Sequence, residues 1–114
     1  MDNNQQYRFV QITSVQEMPD GERLFFEADG LPLVLYALNG EFFATGDECS
    51  HDGGPIGDGE IEGNEIVCPR HGARFDIRTG KVTRMPAVSD IPSYPVRVND
   101  GRIEIGIPVS NNKF

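Results

Sequence analysis

Apolar positions in this chain recur mostly at every second residue, the spacing of strands that bury one face. Aromatic and β-branched residues over 7–12 predict a first strand, and Pro19-Asp20-Gly21 predicts a turn after it. Over 23–28, Leu24, Phe26 and Ala28 fall on one face, and Asp29-Gly30 closes that segment as a hairpin. Residues 31–38 are almost continuously apolar, which predicts a strand buried on both faces, with Pro32 tolerated at its beginning. Asn39-Gly40 is a type I′ turn signal, and residues 41–44 return from it. Near the other end, Tyr94, Val96 and Val98 alternate with Pro95 and Arg97. Across a turn at Asn99-Asp100-Gly101, Ile103, Ile105 and Ile107 alternate with Glu104 and Gly106. These two runs predict a hairpin with one buried face that completes the sheet system of the first strands.

Between about 45 and 87 the pattern changes. Glycine stands at 46, 53, 54, 57, 59, 63, 72 and 80, and apolar runs shorten. Loops longer than about 12–15 residues in a compact domain are usually functional or disordered. Short strands at 65–67 and 73–77 are expected to frame this one. No segment of useful length has helical spacing. The fold class predicted is therefore all-β: a single domain over 1–114, with a β base from 7–44 and 88–107 carrying a small inserted subdomain over about 45–87.

Composition narrows the function. The chain has 114 residues, 38% of them hydrophobic, enough for a modest core without disulfides. A net charge of -8 makes nucleic acid and anionic membranes poor partners and a basic protein surface a good one. Residues 1–6 are polar, expected to fray, and lack a basic region followed by an apolar core, so no secretory signal is expected. No apolar run approaches a membrane span, and the cytoplasm is the expected location.

The inserted segment holds the chemistry. Cys49-Ser50-His51 and Cys68-Pro69-Arg70-His71 use both cysteines and both histidines of the chain. Two thiolates and two imidazoles brought together by paired loops make a four-ligand metal site. Because each loop supplies one sulfur and one nitrogen, two facing loops can gather the sulfurs on one side and the nitrogens on the other. A single zinc ion gains nothing from that sorting, whereas a two-iron cluster does, one iron taking the thiolates and the other the imidazoles. A zinc-stabilised binding module remains an alternative, although strands outside the ligand loops give the base a core that needs no metal. A Cys49–Cys68 disulfide is a third option, disfavoured where no export signal is seen.

These motifs resemble the Rieske family. The likeness rests on Cys49-Ser50-His51, on Cys68-Pro69-Arg70-His71-Gly72 and on the sixteen residues, 52–67, between them. It extends to Phe43-Ala44-Thr45 with Asp47, Phe75-Asp76, Thr79-Gly80-Lys81-Val82 and Pro86, and so covers roughly residues 40–107. It is most similar to the soluble Rieske ferredoxins that serve ring-hydroxylating and related non-haem iron oxygenases. The resemblance implies one [2Fe–2S] cluster per chain, with Cys49 and Cys68 on one iron and His51 and His71 on the other. It implies a Rieske-like antiparallel β-sandwich or barrel base with a cluster-binding subdomain, and a carrier rather than an enzyme. Single electrons would pass from an NAD(P)H-linked reductase to a terminal oxygenase, the carrier acting as a monomer. A Rieske-like small subunit of a nitrite reductase is the alternative within redox chemistry.

Two ferric ions, two sulfides and two thiolates sum to zero charge, so an added electron meets less repulsion than at an all-thiolate centre. Such centres lie at about −150 to +300 mV, against about −400 mV for plant-type ferredoxins. High-potential family members carry a serine and a tyrosine two and four residues after the second histidine, and an additional cysteine in each ligand loop that clamps the loops as a disulfide. This chain has Ala73 and Phe75 at the first pair of positions and Pro69-Arg70 in the second loop, which predicts the low end of the range. Gly53, Gly54 and Gly72 are expected to bring backbone amides up to the sulfurs. Eight acids (Glu41, Asp47, Glu48, Asp52, Asp58, Glu60, Glu62, Glu65) precede a basic stretch over 70–84, a pattern read either as a docking field or as ordinary solvation.

Overall fold

A computed structural model describes residues 6–109; the polar opening, expected to fray, and its reading as lacking a signal fall mainly on residues outside this range. Eleven strands follow in chain order: β1 (Tyr7–Ser14), β2 (Arg23–Ala28), β3 (Leu31–Leu38), β4 (Glu41–Gly46), β5 (Ile61–Glu62), β6 (Glu65–Val67), β7 (Arg74–Asp76), β8 (Val82–Arg84), β9 (Ser93–Tyr94), β10 (Val96–Asn99) and β11 (Arg102–Pro108). A 3-10 turn, Val15–Glu17, leads out of β1. The fold is all-β, with antiparallel sheets, as the alternating pattern predicts. Among the described residues, no helix is long and apolar enough to cross a membrane.

The strands form three sheets, ordered β1-β11-β10, β2-β3-β4-β9 and β5-β6-β7-β8. Asp29-Gly30, Asn39-Gly40 and Asp100-Gly101 have positive φ at both residues, the backbone of type I′ turns, and they fix the register of three hairpins. β3 is central. Leu33, Leu35 and Ala37 on one face meet Ile103, Ile105 and Ile107 of β11, with Met18 and Ala44, in the core of the base. Val34 and Tyr36 on the other face belong to a second core with Cys49, Ile56, Ile66, Cys68, Ala73, Phe75, Ile77, Ala87 and Ile91. Residues 33–37 are all buried, as a strand packed on both faces requires. Each aliphatic side chain so buried contributes about 1.5–3 kcal/mol.

Pro95 changes the last of the predicted hairpins. Tyr94 pairs with Ala44 in the second sheet, while Val96 pairs with Ile105 in the first. Proline has no amide hydrogen to give a ladder, so the chain crosses between sheets there, and the Pro95 carbonyl accepts the Gly106 N–H at 2.8 Å. The predicted buried face is consequently interrupted, and Val98, on the edge strand β10, is half exposed. Two short strands, β5 and β8, lie where the sequence pattern predicts none, and Tyr94, predicted to open the last hairpin, forms the separate strand β9 with Ser93. β5 and β8 are too short for alternation to register.

Candidate metal centre

The first ligand loop leaves β4 and the second joins β6 to β7. Their backbones close in the same way. Cys49 N–H donates to Gly54 O (2.7 Å) and Gly53 N–H to Cys49 O (2.7 Å). Correspondingly, Cys68 N–H donates to Ala73 O (2.7 Å) and Gly72 N–H to Cys68 O (3.0 Å). Gly53 and Gly72, fourth after their cysteines, have φ of 77° and 81°, a conformation that a side chain disfavours. These amides therefore fold the loops and are not aimed at the sulfurs. The Gly54 N–H goes to Asp52 Oδ1 (3.0 Å). The His51 amide does point at a thiol, 3.4 Å from Cys49 Sγ.

Both cysteines are buried, free thiols; His51 and His71 are exposed. The two imidazole rings stand edge to face with centroids 5.1 Å apart. Cys49 Sγ, Cys68 Sγ and a carboxylate oxygen of Asp52 lie within 4.8 Å of one another. Burial pushes the Cys49 thiol up, opposed by the N–H groups of His51 and Asp52. A site completed by Asp52 would set a hard oxygen beside two soft sulfurs. It would also take that carboxylate from Arg70, whose guanidinium holds Asp52 well below the usual carboxylate range. His51 and His71 pair with each other and stand outside that group of three, so the structure brings the two thiols together and the two imidazoles together without closing all four on one point. Two sulfurs and two nitrogens are the donors that a mixed iron–sulfur centre uses.

Three further segments support the loops. Asp47, just past β4, accepts N–H groups of Ile56 (3.0 Å) and Gly57 (2.7 Å). Arg23 of β2 donates to the carbonyls of Gly57 and Gly59, the latter at 2.6 Å, and so ties the base to the segment between the loops. The Pro86 loop reaches the first ligand loop through a hydrogen bond from the Ser50 hydroxyl to Ser89 O. Arg23 and Ser89 carry no sequence signal for these roles, since Arg23 donates to carbonyls, and the Ser89 carbonyl accepts from Ser50, across more than thirty residues. Ala73 and Phe75 are fully buried in the same core as both cysteines.

The charge asymmetry is smaller in three dimensions than along the chain. Arg70 pairs with Asp52, Arg74 with Glu62 and Glu65, and Arg78 with Asp76. Among the described residues, Glu41, Asp47, Glu48, Asp58 and Glu60 on the acidic side, and Lys81 and Arg84 on the basic side, stay outside any ion pair.

The model of the Rieske [2Fe–2S] domain matches residues 8–95, which include both loops and most of the three sheets. The chain belongs to the Rieske [2Fe–2S] domain family. Among relatives, it is 35% identical over 100 residues to the ferredoxin component of the naphthalene 1,2-dioxygenase system of Pseudomonas aeruginosa, covering 88% of this chain and 96% of that one. It is 40% identical over 99 residues to the 3-phenylpropionate/cinnamic acid dioxygenase ferredoxin subunit of Photorhabdus laumondii, covering 84% and 91%. Among solved structures, it resembles a chain from the complex of reduced oxygenase and oxidized ferredoxin in carbazole 1,9a-dioxygenase. That likeness has a TM-score of 0.80 and 26% identity over 86% of this Rieske chain and 92% of the other. A putative NADH-dependent nitrite reductase small subunit from Mycobacterium tuberculosis also has a TM-score of 0.80, covering 91% and 98%, but at 21% identity it shows the fold alone.

Proposed function

We propose that this Rieske protein is a soluble, cytoplasmic, monomeric electron carrier that takes single electrons from an NAD(P)H-linked reductase and delivers them to a terminal oxygenase. Cys49 and Cys68 would hold one iron of the [2Fe–2S] cluster, and His51 and His71 the other. Residues 45–87 would act as one cluster-binding unit on a base formed by 7–44 and 88–107. The ferredoxin relatives support the carrier role, and their dioxygenase systems support the choice of partner.

When bound, the cluster takes up and releases one electron. The chain's own residues decide where that electron can leave. The cysteines are 2% and 1% exposed, behind apolar packing that excludes water, whereas both histidines reach the surface. This contrast carries the reading, because it leaves the imidazole edges as the shortest way out. The Pro86 loop, bonded to the first ligand loop through Ser50 and Ser89, exposes Met85 and Val88, at 74% and 81%, unusual for large apolar side chains unless a partner covers them. The nitrite reductase alternative has only fold-level likeness behind it.

The test is stopped-flow reduction of a terminal oxygenase, such as that of the naphthalene 1,2-dioxygenase system, by the prereduced carrier. Met85→Glu and Val88→Glu at the tip should slow the reaction several-fold with the optical spectrum intact. Glu17→Lys and Glu27→Lys on the base should have little effect. Equal effects at tip and base would rule out exit at the histidines.

A further inference from the structure

The equivalent hydrogen bonds of the two ligand loops place their residues in correspondence: Cys49 with Cys68, His51 with Arg70, Asp52 with His71, Gly53 with Gly72. The imidazole stands second after the cysteine in the first loop and third in the second. Each loop thus has one of these two positions without an imidazole, and opposite charges fill them, Asp52 in the first and Arg70 in the second.

Those two side chains meet across the loops. Arg70 Nε donates to Asp52 Oδ2 at 2.7 Å and Nη2 to Oδ1 at 2.9 Å, a bidentate pair. Its third nitrogen, Nη1, donates to the Pro55 carbonyl at 2.7 Å. The guanidinium also lies against Gly54, where an added Cβ would come within 2.7 Å of Arg70 Cζ. One arginine of the second loop therefore holds residues 52, 54 and 55 of the first. Asp52 in turn accepts the Gly54 N–H and lies 3.4 Å from His71 Nδ1. An isolated exposed ion pair adds little to stability. This one is bidentate, joined by a bond to a carbonyl, and spans two loops that no disulfide connects.

We propose that Asp52 and Arg70 are a positioning pair: they lock the two ligand loops together and balance charge beside the cluster. This rests on the ligand assignment above and assigns to both residues a part in holding the cluster and setting its potential. The potential should respond with opposite signs to the two members. A carboxylate beside the site opposes an added electron, and a guanidinium favours it.

The test uses the iron-loaded protein with Asp52→Asn, Arg70→Gln, the double variant and Arg70→Lys. Cluster lifetime is read from the visible absorbance in the presence of a chelator, and the potential by voltammetry. Each neutral variant should lose its cluster several-fold faster than wild type, and the double variant no faster than the worse single one, because both remove one interaction. Arg70→Lys, which keeps the charge but not the fork, should fall in between. Asp52→Asn should raise the potential, Arg70→Gln lower it, and the double variant return close to wild type. A variant that keeps the far-UV spectrum of the base yet cannot be loaded counts as full loss. Unchanged lifetimes, additive losses, or potentials that shift in the same direction would overturn the pairing. None of these readouts involves an oxygenase, so that result would leave the carrier role standing, whereas wild-type protein unable to hold iron would overturn the ligand assignment and the pair with it.

Discussion

The two faces of β3 serve two different cores. On one, Leu33, Leu35 and Ala37 meet the isoleucines of β11 in packing that carries no chemistry. On the other, Val34 and Tyr36 share a core with both cysteines, and its remaining members come mostly from short strands and loops. In the base, packing alone suffices. In the insert, the residues that exclude water also pack directly around Cys49 and Cys68. Damage to the first core should cost stability first, whereas damage to the second should reach the cluster.

The largest difference should come from matched truncations. Ile105→Ala in the base and Ile66→Ala in the insert each empty a fully buried site, and each should cost about 2–5 kcal/mol in denaturant unfolding. Ile105→Ala should leave the visible spectrum of the folded protein unchanged. Ile66→Ala should also shorten cluster lifetime, since Ile66 packs in the core that contains Cys49 and Cys68. Equal cluster lifetimes in the two variants would mean that the cores are not functionally distinct.

A smaller effect sharpens the same contrast. Ala73→Ser and Phe75→Tyr would place hydroxyls inside the cysteine-bearing core, where a donor facing sulfur favours the more negative reduced state. Each should raise the potential by some tens of millivolts, where about 60 mV is a tenfold effect for one electron. Voltammetry that finds no rise in either variant, with the cluster intact, would place those side chains away from the sulfurs.

The base was legible because its signals are local. Alternation at Leu24, Phe26 and Ala28, the continuous apolar run of β3 and three turn pairs each act within a few residues. Pro95 was visible, but its effect was not, since the exchange of sheets depends on which carbonyl waits for Gly106. In the insert, cysteine and histidine spacing points to the site, and the remaining geometry comes from contacts far apart in sequence. The glycine amides were misread for a different reason, since their bonds are local turns of the loops: Gly53 and Gly72 donate to the cysteine carbonyls four residues back, and Gly54 donates to Asp52 Oδ1. Asp52 and Arg70 fall in the acidic and basic stretches read from the sequence, but their bidentate contact emerges only once the loops are seen to correspond.

The most direct measurement is the iron, acid-labile sulfide and zinc content per chain after anaerobic purification, for wild type, Cys49→Ser and His71→Ala. Wild-type protein should be red-brown and contain two irons and two sulfides per chain, as a [2Fe–2S] centre requires, with zinc absent. Both variants should lose most of that iron while their β base stays folded. Colourless wild-type protein with stoichiometric zinc, or full iron and sulfide retained in both variants, would contradict a cluster held by Cys49, His51, Cys68 and His71.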